Sequence, residues 1–352
     1  MVKVLSLFSG SLASRVATRL VETHPDVESV CLLHFRSPFA REPEGLRQLV
    51  RQEWPGVPLR TQSLKREYRR LIVSDGFEGF DLRRSCLNCR SLLLSRASRY
   101  MERVGAEYLV TGDVLGENGV ERKDLCAISD ACGLTGKILR PLCSEEPERP
   151  KGGISAWAGK GAWRRRRADM SGLLVTLAEH LDLEMVDPLT CRNRCKLTLP
   201  GFGDRVAHLF NDVSFTLNEL RLLDFPWYYE VHPDTKIVVA IEDEEKRELQ
   251  NLFLPQDLRV YPAAPHGPMT LVRTPSRTAA PHEGDRIIEL AARITSTHLD
   301  VDTTCAIPVY YRFEDENERH LVNVMPFESH DEIAQLKMVD VVPLERLRVA
   351  VG

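Results

Sequence analysis

No stretch of this 352-residue chain holds the ~18 consecutive apolar residues that cross a bilayer, which argues against an integral membrane protein. Nor is a secretory leader expected: Met1-Val2-Lys3-Val4-Leu5-Ser6-Leu7-Phe8 is too short for a signal-peptide core and runs into a glycine turn, so a cytoplasmic location is expected. A large charge of either sign is also lacking. The 47 Lys and Arg against 51 Asp and Glu leave a formal charge of -4, so any contact with RNA has to come from local basic patches. No internal repeat is present. Nine cysteines are an odd number for a disulfide framework in a long chain without a leader, and they predict free thiols, metal ligands or redox chemistry.

What is present is ordinary globular material, 43% hydrophobic and 28% charged, in a length that suggests about two domains. Val2–Phe8 is a short apolar run ended by Ser9-Gly10-Ser11, and Leu12–Val21 has the apolar spacing of a helix. Val27–Phe35 reads as a buried strand, Leu46–Gln52 and Leu64–Val73 as helices, and Ser91–Val104 as a longer helix. Glu107–Thr111 is a strand, Asp124–Ala131 a helix and Lys137–Leu142 a strand. This alternation predicts an α/β fold, a doubly wound parallel sheet with helices on both faces. Ligands of such sheets bind at the carboxyl ends of strands, where Ser9-Gly10-Ser11, His34-Phe35 and Thr111-Gly112 all fall.

After Ser144 the composition shifts. The segment from Pro147 to Arg167 is rich in proline and glycine and ends in Arg164-Arg165-Arg166-Arg167, which suggests a linker. Its arginines, with Lys151, Lys160, Trp157 and Trp163, suit phosphates and unpaired bases, although a solvated charge run is the plain alternative. Leu173–Leu183 reads as a helix, Asp187–Gly203 as irregular, Phe215–Ala240 as strands around a turn and Asp243–Leu252 as an amphipathic helix. From about Leu258 a small α+β unit is expected, with strands at Thr270–Arg273, Ala306–Arg312, His320–Met325 and Val339–Val342 and a helix at Glu283–Thr297.

Two groups of residues carry chemistry. Small residues in Ser9-Gly10-Ser11-Leu12-Ala13-Ser14 let the backbone approach a phosphate, and the following helix start offers free N–H groups and a positive dipole end. Serine caps on a strand–helix turn would look the same. The second group is Cys86-x-x-Cys89, placed just before the expected helix, where the helix dipole lowers a thiol pKa. Two thiols at that spacing chelate a metal, or one attacks while the other resolves; a pair of small turn residues is the alternative.

Ser9–Ser14 resembles the Ser-Gly-Gly-x-Asp-Ser signature of the PP-loop ATP pyrophosphatases, with Ser11 at the second glycine and Ala13 at the aspartate. His34–Phe39, Ser85-Cys86-Leu87-Asn88-Cys89-Arg90, Gly105–Gly116 and Arg140-Pro141-Leu142-Cys143 are similar to further segments of bacterial thiouridine synthetase-like proteins related to tRNA sulfurtransferases. Glu117–Glu121 is shorter than in that family and lacks its Ser-Gln pair.

The resemblance implies a HUP-like ATP-binding domain over residues 1–145, a linker with a second cysteine pair over 146–204, and a C-terminal α+β region over 205–352. That region resembles an RNA-binding NFACT-R module from about residue 258. ATP would contact Ser9, Gly10, Ser11, Ser14, Thr111, Gly112 and Asp113, with adenine near His34 and Phe35. Asp113 would stand in for the missing carboxylate on Mg²⁺. Cys86, Cys89 and Cys195 would be catalytic and would hold a [4Fe–4S] cluster; Zn²⁺ on Cys86, Cys89, Cys191 and Cys195 is the rival. Cys31, Cys126, Cys132, Cys143 and Cys305 are expected to be buried small residues.

The implied activity is ATP-dependent adenylation of a nucleobase carbonyl, in tRNA or another acceptor, and exchange of its oxygen for sulfur. A cysteine desulfurase would be a fitting sulfur donor. Ala13 supports the alternative of a PP-loop protein that binds nucleotide or RNA without turnover, because a methyl group cannot ligate Mg²⁺.

Overall fold

In the computed structural model the chain divides into two compact units, Met1–Thr198 and Leu199–Gly352. The structure describes residues 1–40, 45–64, 67, 80–143, 170–184, 195–211, 215–232, 235–274, 281–299, 305–334 and 336. The arginine and tryptophan run, Cys191, the strand expected at Val339–Val342 and most of the helix expected at Leu64–Val73 lie outside them.

The first unit is a parallel α/β sheet. Its elements are β1 (Val2–Leu7), α1 (Leu12–Glu22), β2 (Val27–Arg36), α2 (Leu46–Glu53), β3 (Leu59–Ser63), α3 (Leu82–Val104), β4 (Tyr108–Val110), α4 (Arg122–Ala131), β5 (Ile138–Leu139) and α5 (Met170–His180). The strand order is β3-β2-β1-β4-β5, all parallel. Alternation along β1 sends Val4 into one core, with Val16 and Ala17 of α1, Trp54 and Leu174 of α5. The order reverses between β1 and β4, and that switch point opens a crevice at the carboxyl ends of these strands.

β3 was not foreseen because Leu59-Arg60-Thr61-Gln62-Ser63 is polar. It lies at the sheet edge, where one side needs no apolar partner. The larger departure is α3, which begins at Leu82 rather than Ser91. Asp81 caps it, its carboxylate accepting from the Arg84 N–H, so Cys86 and Cys89 lie inside the helix and not before it.

The second unit has α6 (Phe202–Asn211), α7 (Leu217–Leu222), β6 (Trp227–His232), β7 (Thr235–Ala240), α8 (Asp243–Gln250), β8 (Leu258–Pro262), β9 (Met269–Arg273), α9 (Pro281–Thr297), β10 (Ile307–Phe313), β11 (His320–Val324) and α10 (His330–Ala334). Its sheet order is β11-β10-β8-β9-β7-β6, with antiparallel neighbours, so strands on both sides of residue 258 share one sheet. α7 replaces part of the strand pair expected at Phe215–Ala240. The capping box of Thr216 and Glu219 starts it, a Thr-x-x-Glu signal present in the sequence. Ala291, Ala292 and Ile294 of α9 pack on Val260, Val272 and Val309, and Thr270 Oγ1 meets Thr295 Oγ1 at 2.7 Å. Among the described residues no helix is long and apolar enough to cross a membrane.

Candidate nucleotide and thiol site

The turn after β1 folds on itself. Gly10 takes φ +79°, a conformation that favours glycine, and Ser11 caps α1. The Ser9 hydroxyl lies 2.9 Å from that of Ser11 and donates to the Ser14 hydroxyl at 3.1 Å, so three hydroxyls gather at the helix start. The turn after β4 presses against this one. A Cβ on Gly112 would fall 2.8 Å from the Ser14 amide nitrogen and 2.9 Å from the Ala13 carbonyl carbon, so only glycine permits the approach.

A cavity of about 310 Å³ opens over these turns within the first unit. Ser9, Ser11, Ala13 and Ser14 form one wall and Thr111, Gly112 and Asp113 another. His34 and Phe35 at the end of β2 line it as well, and His34 Nδ1 donates to the Phe8 carbonyl at 2.9 Å, tying β2 to β1. Gly10 is the one expected contact residue that does not line the cavity; it is buried in the turn beneath.

The cysteines face the same space. Cys86 and Cys89, one helical turn apart on α3, line it together with Cys195. Cys195 reaches it because Ala40 pairs with it in a β-bridge and the Lys196 N–H donates to the Phe39 carbonyl at 2.6 Å. Among the described residues, however, no group of three or more His, Cys, Asp or Glu side chains is arranged to hold a metal ion. Among the described residues, Cys86, Cys89 and Cys195 are thus not arranged as a preassembled metal site; the expected zinc set also includes Cys191, which lies outside the described residues.

The thiols are also not activated by the helix dipole. Burial pushes Cys89 up to about 11 and Cys195 up to about 12, in each case helped by a neighbouring cysteine. Burial raises Cys86 as well, against the pull of Arg90 and of Asn118, whose Nδ2 donates to Cys86 Sγ at 3.3 Å. Desolvation prevails: Cys86 directly follows the first turn of α3 and Cys89 lies one turn further on, beyond the stretch where the dipole acts most strongly. Of the other cysteines, Cys143 is buried, whereas Cys31, Cys126 and Cys132 are half-buried and Cys305 is exposed, so the expectation of buried small residues holds for Cys143 alone.

Asp113 is engaged on both oxygens. Arg90 Nε donates to Oδ1 at 3.0 Å, while Arg140 Nε at 3.3 Å and the Thr111 hydroxyl at 2.8 Å donate to Oδ2. Burial by itself would raise this carboxyl; the two guanidinium groups and the hydroxyl hold it below the usual carboxylate range. The other carboxylate lining the cavity, Glu117, meets Arg90 Nη2 at 3.5 Å. With both committed to arginine, these side chains do not form a Mg²⁺ ligand set. Arg90, Arg140 and Glu117 stand in the sequence only as members of the family-like segments, without a role of their own, and Asn118 is not named there. The signal for Arg90 was its place four residues after Cys86, which puts the two on one helix face.

No known family's sequence profile matches this chain, and no curated protein matches it. Among solved structures it is similar to the U34-tRNA thiolase NcsA from Methanococcus maripaludis with its [4Fe-4S] cluster. That match has 15% identity and a TM-score of 0.30 over 53% of this chain and 59% of that one. It is similar to a 4-thiouridine synthetase in complex with RNA and bound ATP, at 20% identity and a TM-score of 0.32 over 51% of each chain. It is also similar to the C-terminal part of the fibronectin/fibrinogen-binding protein from Streptococcus suis, at 14% identity and a TM-score of 0.27 over 47% of this chain and 72% of that one. The chain thus spans between half and three fifths of the two thiolase chains. At such identities and scores the likenesses assign no function.

Proposed function

We propose that the first unit is an ATP-dependent sulfurtransferase that activates a nucleobase carbonyl, with tRNA as the acceptor. One observation carries this reading: the serine turn at the sheet's switch point and three cysteines open on a single cavity. A phosphate-binding turn alone would suit many nucleotide enzymes, and thiols alone would suit redox chemistry. Their conjunction suits a reaction that first activates an oxygen and then replaces it with sulfur.

In this reading the triphosphate lies along Ser9–Ser14 and the cradle left by Gly112, with the base near His34 and Phe35. The acceptor's carbonyl oxygen attacks the α-phosphorus and pyrophosphate leaves, which turns a poor leaving group into AMP. Cys86, with Arg90 and Asn118 beside its sulfur, carries a persulfide delivered by a donor such as a cysteine desulfurase. The outer sulfur bonds to the base carbon as AMP departs. A second cavity thiol then attacks the Cys86 sulfur, releasing the thiolated base and leaving a disulfide that an external dithiol reduces. For the RNA, the second unit offers Tyr261 and Tyr310 on the sheet face opposite α9, with ring centroids 5.7 Å apart and the Arg319 guanidinium 4.5 Å over Tyr310. Such a face suits stacking of unpaired bases.

Nucleoside mass spectrometry of tRNA from a deletion strain tests the reading, and a missing thiolated base is the expected result. Pyrophosphate release from ATP with bulk tRNA and a sulfur source should exceed that of Cys86→Ala. Measurable ATP binding with no release above that control would sink the enzyme and leave a nucleotide-binding protein, the reading that Ala13 favours.

A further inference from the structure

We infer that the second unit carries an anion site of its own: a basic cleft beside the Tyr261–Tyr310 face that takes the terminal phosphate of a nucleotide, free or at the end of an RNA strand. The inference deepens the part of the proposed function that gives this face to RNA, and it needs none of the first unit's chemistry.

The cleft has a volume of about 550 Å³ and is lined by α8, by the sheet face opposite α9 and by the turn after β8. Asp243, Lys246, Arg247 and Gln250 recur at helical spacing and so share one face of α8. Arg259 and Tyr261 of β8 and Arg312 of β10 line it from the sheet. The strand register places Arg259 directly opposite Arg312, and Tyr261 directly opposite Tyr310. Like charges in that relation destabilise a sheet. Glu314 eases the repulsion without cancelling it: its Oε1 accepts from Arg259 Nε at 2.5 Å and lies 3.6 Å from Arg312 Nη2. An arginine pair kept against the fold's own preference, in the wall of a cleft, points to a negatively charged ligand.

The charge count sets the kind of anion. Lys246, Arg247, Arg259 and Arg312 line the cleft against one lining carboxylate, Asp243. With Glu314 counted, these cations still exceed the two carboxylates by two, and His266 adds a charge when protonated. Asp243 feels the same field: Lys246 Nζ, 2.8 Å from its Oδ1, holds the carboxyl below the usual carboxylate range, with His266 and Arg247 adding to the effect. Two surplus charges match a terminal phosphate, which carries about −1.5 to −2 at neutral pH, better than a bridging phosphodiester with one. Guanidinium groups also suit phosphate oxygens geometrically. Tyr261 belongs both to the cleft and to the tyrosine pair, so a phosphate held here leaves its base over the two rings. The rim is held in place beforehand. Lys246 Nζ donates to the His266 and Gly267 carbonyls, each at 3.4 Å, and a Cβ on Gly267 would overlap the Pro262 ring.

Binding of four probes to the full chain at one salt concentration tests this: 5′-phosphorylated and 5′-hydroxyl pentacytidylate, cytidine 5′-monophosphate and cytidine. The phosphorylated member of each pair should bind about tenfold more tightly. Arg247→Glu, a change at an exposed position, should erase most of that preference, whereas Asp243→Asn should enlarge it. Arg312→Gln should reduce it as well. A monophosphate that binds as tightly as the phosphorylated strand identifies a free nucleotide as the ligand; a much tighter strand identifies an RNA end. Equal binding of phosphorylated and hydroxyl probes, or a preference that Arg247→Glu leaves unchanged, overturns the inference, as does a chain that binds none of the four. Thiolation of tRNA without any such preference overturns the inference alone. The preference without thiolation or pyrophosphate release counts against the sulfurtransferase and leaves the phosphate site standing.

Discussion

Gly112 and Ser14 meet backbone to backbone: a methyl group on the glycine would lie 2.8 Å from the serine's amide nitrogen. This contact joins the turns after β1 and β4, the two strands that flank the switch point. Gly112→Ala should force them apart, destabilise the first unit by about 1–3 kcal/mol and abolish nucleotide binding. Urea unfolding and ATP titration check it; an alanine variant that binds ATP normally would show that the cradle is not used.

Arg15 and Glu53 form a buried ion pair between α1 and α2, with Arg15 Nε donating to Glu53 Oε2 at 2.8 Å. Glu53 also accepts from the Glu184 N–H at 3.1 Å. Arg15→Met strands a carboxylate among apolar side chains and should cost about 3–5 kcal/mol in chemical denaturation. The double change Arg15→Met/Glu53→Leu should recover much of that loss; equal instability of both variants would mean that packing, not charge, sets the cost.

Acid should loosen the cavity through Asp113. A carboxyl held below its ordinary value contributes stability that is complete above the unfolded pKa of about 3.9 and lost as pH falls through the depressed folded value. Asp113→Asn should therefore be less stable than wild type at neutral pH, by about 3 kcal/mol, and the gap should close below pH ~4. A gap that stays constant from pH 7 to pH 3 contradicts the ion-pair account.

Thiol reactivity should follow burial. Cys305 is exposed and should be alkylated first, whereas Cys89, at about 11, keeps only about one thiolate in a thousand at pH 8. Its alkylation rate should still be rising near pH 10, well past the ordinary value. A raised thiol pKa also means that the folded state loses stability as pH climbs above that ordinary value. Iodoacetamide labelling followed by peptide mass spectrometry reads each cysteine; a plateau for Cys89 near pH 9 would contradict its burial.

By itself the sequence determined the parallel sheet and the strand-end positions of its polar turns. Apolar runs such as Val2–Phe8 and glycine punctuation at Gly10 and Gly112 are local signals, and the alternation of strand and helix admits few topologies. It also named the residues of both cavity walls, because ligand positions follow from strand ends. That Cys195 joins Cys86 and Cys89 at one cavity was implied only by the family resemblance, and residue spacing by itself could not derive it. That depends on a bridge to Ala40, a contact between distant segments with no sequence period. Nor could it set the thiols' character. A helix start inferred at Ser91 implied dipole activation, whereas the Asp81 cap puts the cysteines deeper in α3, where burial outweighs the dipole. Arg90 shows the same division. Its spacing from Cys86 is local and legible, but its Asp113, Arg140 and Glu117 environment arises only when β4, β5 and the Gly116–Gly119 turn converge. Charge balance inside a cavity is a property of three-dimensional neighbours, and the tertiary structure alone decides it.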